Sequence, residues 1–162
     1  MKSPNLLHRT AMNEAERIQS FVTQRTLALA GASRGGKKFG NSLLKDLAAK
    51  GYTVYPVHPS AQQIDGVQCY PSLAALPGPV GGLVLVVKPE ETDKLVREAA
   101  DAGITRVWMQ QGAESETAIR FCEDQGLEAT HGYCLLMFAD PVNSIHRVHR
   151  FFAKVFGKLP AQ

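Results

Sequence analysis

Short apolar, β-branched runs alternate with stretches of helical period along most of this chain, and that alternation restricts its fold more than any other feature. Thr26–Ala30 reads as a strand and is followed by Gly31-Ala32-Ser33-Arg34-Gly35-Gly36-Lys37-Lys38. Phe39, Leu43, Leu44, Leu47 and Ala48 then recur at the spacing of a helix, which Gly51 ends. Thr53–Val57 is the next strand, stopped by His58-Pro59, and residues 67–70 form a brief one before a short helix over 72–76. The unbroken apolar run 82–87 predicts a central strand buried on both faces. Lys88-Pro89-Glu90 ends it, and Thr92 or Asp93 opens a helix carrying Leu95, Val96, Ala99 and Ala100, closed by Gly103. A strand over 106–110, a turn at Gly112, a helix over 115–125 and a last strand over 127–130 repeat the alternation. Such units connect right-handedly and give an α/β fold: a doubly wound parallel sheet covered by helices on both faces, three layers in all.

Helical segments flank this core. Asn13 is placed to cap a helix bearing Ala15, Ile18, Phe21 and Val22, so residues 1–25 read as an N-terminal helical extension. Val142, Ile145, Val148, Phe152 and Val155 put one apolar face on a helix over 140–156, so 140–162 reads as a C-terminal helix packed on the domain 26–139. The whole chain has 162 residues, 44% hydrophobic and 20% charged, which is the make-up of one globular domain and excludes disordered, collagen-like and disulfide-stapled classes. Cys69, Cys122 and Cys134 form no C-x-x-C pair and read as reduced thiols, with cytoplasmic residence expected. No apolar run approaches the roughly 18 residues of a membrane span, so no membrane partner is expected. A net charge of +3 is too small to mark a nucleic-acid surface by itself. Exposed apolar residues on the end helices leave a homodimer open.

In doubly wound sheets ligands sit at the carboxyl ends of the strands, and the unusual residues of this chain fall there. The glycine loop supplies backbone N–H groups at a helix start, where a phosphate is the natural guest. Its glycines, Gly31, Gly35, Gly36 and Gly40, do not match G-x-G-x-x-G, and Val57-His58-Pro59 stands where an NAD site wants an acid. The loop also lacks the G-K-[ST] ending of an ATP-binding P-loop. Arg34, Lys37 and Lys38 instead suit a ligand richer in phosphate than NAD. A purely structural turn with solvated lysines is the competing interpretation.

The ordered series Gly31-Ala32-Ser33, Gly51-Tyr52-x-Val54-Tyr55-Pro56-Val57-x-Pro59, Gly66-x-x-Cys69-Tyr70-Pro71-Ser72-Leu73, Lys88-Pro89-Glu90, Val107-Trp108-x-Gln110 and Cys134 resembles the bacterial CoA-binding protein family. These are single-domain relatives of the CoA-binding domain of the succinyl-CoA synthetase alpha subunit. The resemblance runs from about Thr26 to Cys134 and implies a Rossmann-like, nucleotide-binding fold whose ligand is coenzyme A. It further implies that Gly31, Ala32 and Ser33 receive the phosphates, with Arg34, Lys37 and Lys38 near them. Val57, His58 and Pro59 would border the adenosine, Val87, Lys88 and Pro89 would line the cleft beyond it, and Gly112 and Cys134 would lie towards the pantetheine arm. His58 departs from the family's usual Asn, and Tyr133 from its frequent Arg.

Few residues argue for catalysis. Cys134 is a candidate for a mixed disulfide with CoA, weighed against a packed, inert thiol. His146 and His149 are spaced to share a metal but have no third ligand near in sequence, so no metal is expected. His131 either touches ligand or simply ends its strand. Glu90, Glu91 and Asp93 read as first-turn helix charges rather than an acid–base pair. The expected function is therefore binding of CoA or an acyl-CoA without catalysis. An NADP-dependent or acyl-CoA-processing enzyme using the same cleft, and a regulatory or interaction module, are the alternatives.

Overall fold

The structure is a computed structural model, and it describes residues 12–139. In chain order its strands are Thr26–Ala30 (β1), Thr53–Val57 (β2), Gln63–Ile64 (β3), Val67–Gln68 (β4), Gly82–Leu85 (β5), Arg106–Met109 (β6) and Glu128–His131 (β7). Its α-helices are Glu14–Val22 (α1), Phe39–Ala49 (α2), Pro89–Asp101 (α3) and Glu116–Gln125 (α4). Five strands make one parallel sheet in the order β2-β1-β5-β6-β7, so the α/β, Rossmann-like doubly wound fold is what this sequence forms. The register is level. Val57, Ala30, Leu85, Met109 and His131 stand in one row across the carboxyl edge, so the loops that leave them share one rim.

The strand pleat sorts two cores. On one face Leu27, Leu29, Val84 and Trp108 pack with α1, α2 and residues 135–139; on the other Ala28, Ala30, Leu85 and Met109 pack with α3 and α4. Every residue of β5 is buried, as a central strand requires. The α1 start carries the expected Asn13 cap, completed by Glu16 into a capping box. This helix is inserted into the first core rather than laid over it. Phe21 packs against Trp108 with ring centroids 5.4 Å apart and planes tilted by 58°, and a Cβ on Gly82 would lie 2.5 Å from the Phe21 ring. Ser20 Oγ donates to Glu128 and accepts from Arg106 Nε, which ties the same helix to the starts of β6 and β7.

Three elements differ from expectation. Helix α3 opens at Pro89, not at Thr92 or Asp93, because proline suits the first helical position, where its missing N–H has no partner to lose. Thr92 is thereby carried into the interior, where its hydroxyl donates to Ala113 O at 2.7 Å. The run 67–70 splits: Val67–Gln68 pairs antiparallel with Gln63–Ile64 around Asp65-Gly66, while Tyr70 bridges to Val57. Both turn residues have positive φ, 50° and 78°, as a tight hairpin turn demands. The helix expected over 72–76 is a single 3-10 turn, Leu73–Ala75. The helix expected over 140–156 lies outside the described residues.

Two glycines in the sheet-to-helix crossing tolerate no side chain. A Cβ on Gly40 would stand 2.4 Å from Gly31 O, and one on Gly31 would stand 2.1 Å from Val86 O. Gly40→Ala is expected to cost about 2–3 kcal/mol, the range of overpacked cores. Gly78→Ala, where nothing lies within 4 Å, is expected to be near neutral. Urea unfolding of the two variants checks the contrast, and equal costs would refute it.

Candidate functional site

The strand order reverses between β1 and β5: the chain leaves β1 towards β2 on one side and later returns through β5 on the other. A crevice opens at such a switch point. Its floor is narrow here, since Val86 N donates to Ala30 O at 2.8 Å. Gly31, at φ 118°, passes the Val86 carbonyl where no side chain would fit, and α2 begins directly against it. The N-caps of α2 and α3 are Lys38 and Lys88, and neither helix start receives a side-chain cap hydrogen bond. Two helix N-termini therefore meet at the crevice with the positive ends of their dipoles towards it, a setting for an anion.

Asn41, 1% exposed, holds the glycine loop in shape. Its Oδ1 accepts from Ser33 N at 2.9 Å and from Ser33 Oγ at 3.2 Å. Its Nδ2 donates to Ser33 O at 2.8 Å and to Asp65 Oδ2 at 2.9 Å. The Asp65-Gly66 turn of the β3–β4 hairpin is thus latched onto the loop, and a Cβ on Gly36 would approach Asp65 Oδ1 to 3.2 Å. The sequence reading missed Asn41 and the hairpin; the Asp-Gly pair between short apolar runs was the available signal.

A cavity of about 720 Å³ occupies the crevice on the α3 side. Gly31, Ala32, Ser33 and Lys38 line it from the glycine loop, Val57, His58 and Pro59 from the end of β2. Val87, Lys88 and Pro89 line it from the start of α3, and Gly112 from the loop after β6. Arg34 and Lys37 are exposed residues of the same glycine loop but are not on the cavity wall, and neither is Cys134. The wall also includes Pro71 and a stripe of α3, Glu91, Lys94, Leu95 and Glu98, that the sequence reading did not single out. These four lie at i, i+3, i+4 and i+7 and so share one helix face.

His58 Nδ1 accepts from Ser60 N and Ala61 N, each at 3.1 Å. The ring therefore does what an Asn side chain does at such a turn, and its proton belongs on Nε2. Beyond Gly112 the rim is stitched together: Gln111 Nε2 donates to Gly132 O, Leu135 N to Gln110 Oε1, and Trp108 Nε1 to Tyr133 O. Cys134 sits half-buried in that stitched segment, packed against the first core. Cys122 is fully buried, and burial, then the neighbouring Glu123 charge, pushes its thiol up to about 11. Burial also raises Cys69, and it raises Tyr133, where the Glu14 carboxylate adds to the effect. Among the described residues no three ligating side chains gather to hold a metal, and no helix is long and apolar enough to cross a membrane. His146 and His149 lie outside them.

Fold and crevice together define a Rossmann-like α/β protein with a glycine turn and a cavity at its switch point. The chain belongs to the CoA binding domain family, whose model matches residues 25–140. It is 31% identical over 101 residues to the alpha subunit of ADP-forming acetate–CoA ligase II from Pyrococcus furiosus, a match that covers 62% of this chain and 22% of the ligase subunit. Among solved structures it resembles a conserved hypothetical protein from Pyrococcus furiosus, with 44% identity and a TM-score of 0.66 over 68% of this chain and 96% of that one. A hypothetical protein from Pyrococcus horikoshii superposes with a TM-score of 0.71 at 29% identity, covering 83% and 94% of the two chains.

Two outcomes follow from this geometry. Asn41→Ala leaves the Ser33 backbone groups without their partner and is expected to lower stability by about 1–3 kcal/mol in chemical denaturation; an unchanged midpoint would remove the clamp. Because Cys122, Cys69 and Tyr133 all have raised values in the folded chain, the unfolded chain loses these protons first. Stability is then full below about pH 9, the ordinary thiol value, and falls as pH rises towards 11. Urea midpoints between pH 8 and 11 should show that fall, and Cys122→Ala should flatten it.

Proposed function

We propose that this chain binds coenzyme A in the crevice between β1 and β5, as a binding module without catalysis of its own. The observation that carries this reading is the approach of α2 to Gly31: the Cβ position of Gly40 lies 2.4 Å from Gly31 O, so the helix start and the glycine turn form one anion-accepting surface. The pyrophosphate lies there, against Gly31, Ala32 and Ser33, with Lys38 at hand and Arg34 and Lys37 contributing positive potential from the exposed side of the loop. The adenosine occupies the part of the cavity bordered by Val57, His58 and Pro59. The pantetheine arm leaves past Val87, Lys88 and Pro89 towards Gly112 and, along the rim, Cys134. A cavity of about 720 Å³ lies within the range of sites that enclose most of a ligand of this class.

The polar side chains of the cavity support binding over chemistry. The Ser33 hydroxyl donates to Asn41 Oδ1 and His58 Nδ1 is engaged by two backbone N–H groups, so neither stands as a nucleophile with its base. The homologous ADP-forming ligase named above carries CoA in its name, which fits the same ligand here.

Thermal unfolding with CoA, NADP, NAD and ATP at equal concentration tests the reading. A ligand at about a hundred times its Kd adds about 2.7 kcal/mol, roughly 5–11 °C for a chain of this size. CoA is expected to stabilise more than the others, and acetyl-CoA to be recovered unconverted after incubation. A shift with NADP and none with CoA would overturn it, as would steady turnover of acetyl-CoA.

A further inference from the structure

We propose that Lys94 reads the 3′-phosphate of the ligand and so separates coenzyme A from dephospho-CoA; the inference rests on the CoA reading above and adds the residue that sets its selectivity. The starting point is the distribution of cations around the cavity. Three lysines line it. Lys38 and Lys88 are the N-caps of α2 and α3 and stand together at the crevice, where the two helix starts already favour one anionic group. Lys94 belongs to neither helix start. It is six residues along α3 from Lys88, which at the rise of an α-helix is about 9 Å between backbone positions.

Val57, His58 and Pro59 form another part of the cavity wall, the part assigned to the adenosine. Residues 57–63, Val-His-Pro-Ser-Ala-Gln-Gln, contain no lysine or arginine, and the His58 Nδ1 is already engaged by the Ser60 and Ala61 N–H groups. Among the lysines that line the cavity, Lys94 is the one not placed at a helix start. Glu91 and Glu98 flank it at i−3 and i+4, the spacings at which helical ion pairs form. Yet among the described residues its ammonium is paired with neither, and it lines open space instead. An ammonium left unpaired beside Glu91 and Glu98, further along α3 than the helix start at Lys88, suits a second phosphate carried on the ribose. A ligand with hydroxyls alone at that position offers Lys94 no charged partner, whereas a phosphate does.

The test measures binding of CoA and dephospho-CoA by calorimetry to the wild-type chain, Lys94→Gln, Lys94→Arg and Lys88→Gln. Wild type is expected to prefer CoA by about tenfold or more, the range of a charge-assisted hydrogen bond. Lys94→Gln is expected to bind CoA no better than wild type binds dephospho-CoA, with dephospho-CoA affinity unchanged, and Lys94→Arg to keep the preference. Lys88→Gln should weaken both ligands in parallel. Lys94 is exposed, so the unliganded unfolding temperature of Lys94→Gln should match wild type and show that the fold is intact. A Lys94→Gln variant that retains the full preference for CoA overturns this inference, and so does a wild type that binds both ligands equally; either result leaves the CoA reading standing. A wild type that binds neither ligand overturns the CoA reading, and this inference with it.

Discussion

The contact between the peptide of Gly31, the carbonyl of Val86 and the first turn of α2 determines where everything else in the upper half of the molecule can be. At the switch point two loops leave adjacent strands in opposite senses, and here they stay close enough for a Val86–Ala30 backbone hydrogen bond. A side chain at Gly31 would force them apart, and one at Gly40 would lift α2 off the turn. With both absent, α2 starts so near the strand end that Asn41, in its first turn, reaches back to clasp Ser33 on both its N–H and its C=O. One pair of glycines thus places the helix, and the helix places the residue that shapes the loop.

The edge of the sheet is arranged around the same point. Strand β2 is an edge strand containing Pro56, which has no N–H to offer a neighbouring chain and is tolerated only in such a place. The segment after the β3–β4 hairpin covers it: Tyr70 N donates to Pro56 O and His58 N to Tyr70 O. The hairpin's own turn then spans to the glycine loop through Asp65 and Asn41. A stretch that would otherwise be a plain connection guards the edge, borders the cavity through Pro71 and braces the glycine turn.

What could be read from the sequence was what apolar periodicity and punctuation encode. The strands β1 and β2 and the helices α2 and α4 announce themselves because their neighbours are uniform runs ended by glycine or proline. The start of α3 was misplaced because Lys88-Pro89-Glu90 reads equally as a strand terminator and as a helix opening, and only the register of β5, ending at Leu85, decides between them. With the helix opening at Pro89, Glu91 joins Lys94 and Glu98 on one helix face, towards the cavity. The hairpin was missed because its strands are two residues each, too short for alternation to show. The role of His58 was illegible for a different reason, since an imidazole acting as a backbone acceptor leaves no mark in spacing.

The two walls of the cavity are held by different means, and this bears on how a ligand would be received. On the α3 side the helix start is tied to the next loop by Thr92 to Ala113 O and by Ser115 Oγ to Asp93, while Gly112 N donates to Glu114. These bonds join elements that are also packed together in the second core, so this wall is set by the sheet itself. On the opposite side the shape of the loop rests on the single side chain of Asn41 and on the hairpin it engages. A ligand bridging both walls would add bonds across a gap the protein leaves open. The clasp by Asn41 fixes the loop's shape before any ligand arrives, because both the N–H and the C=O of Ser33 are held by a side chain of the helix that follows.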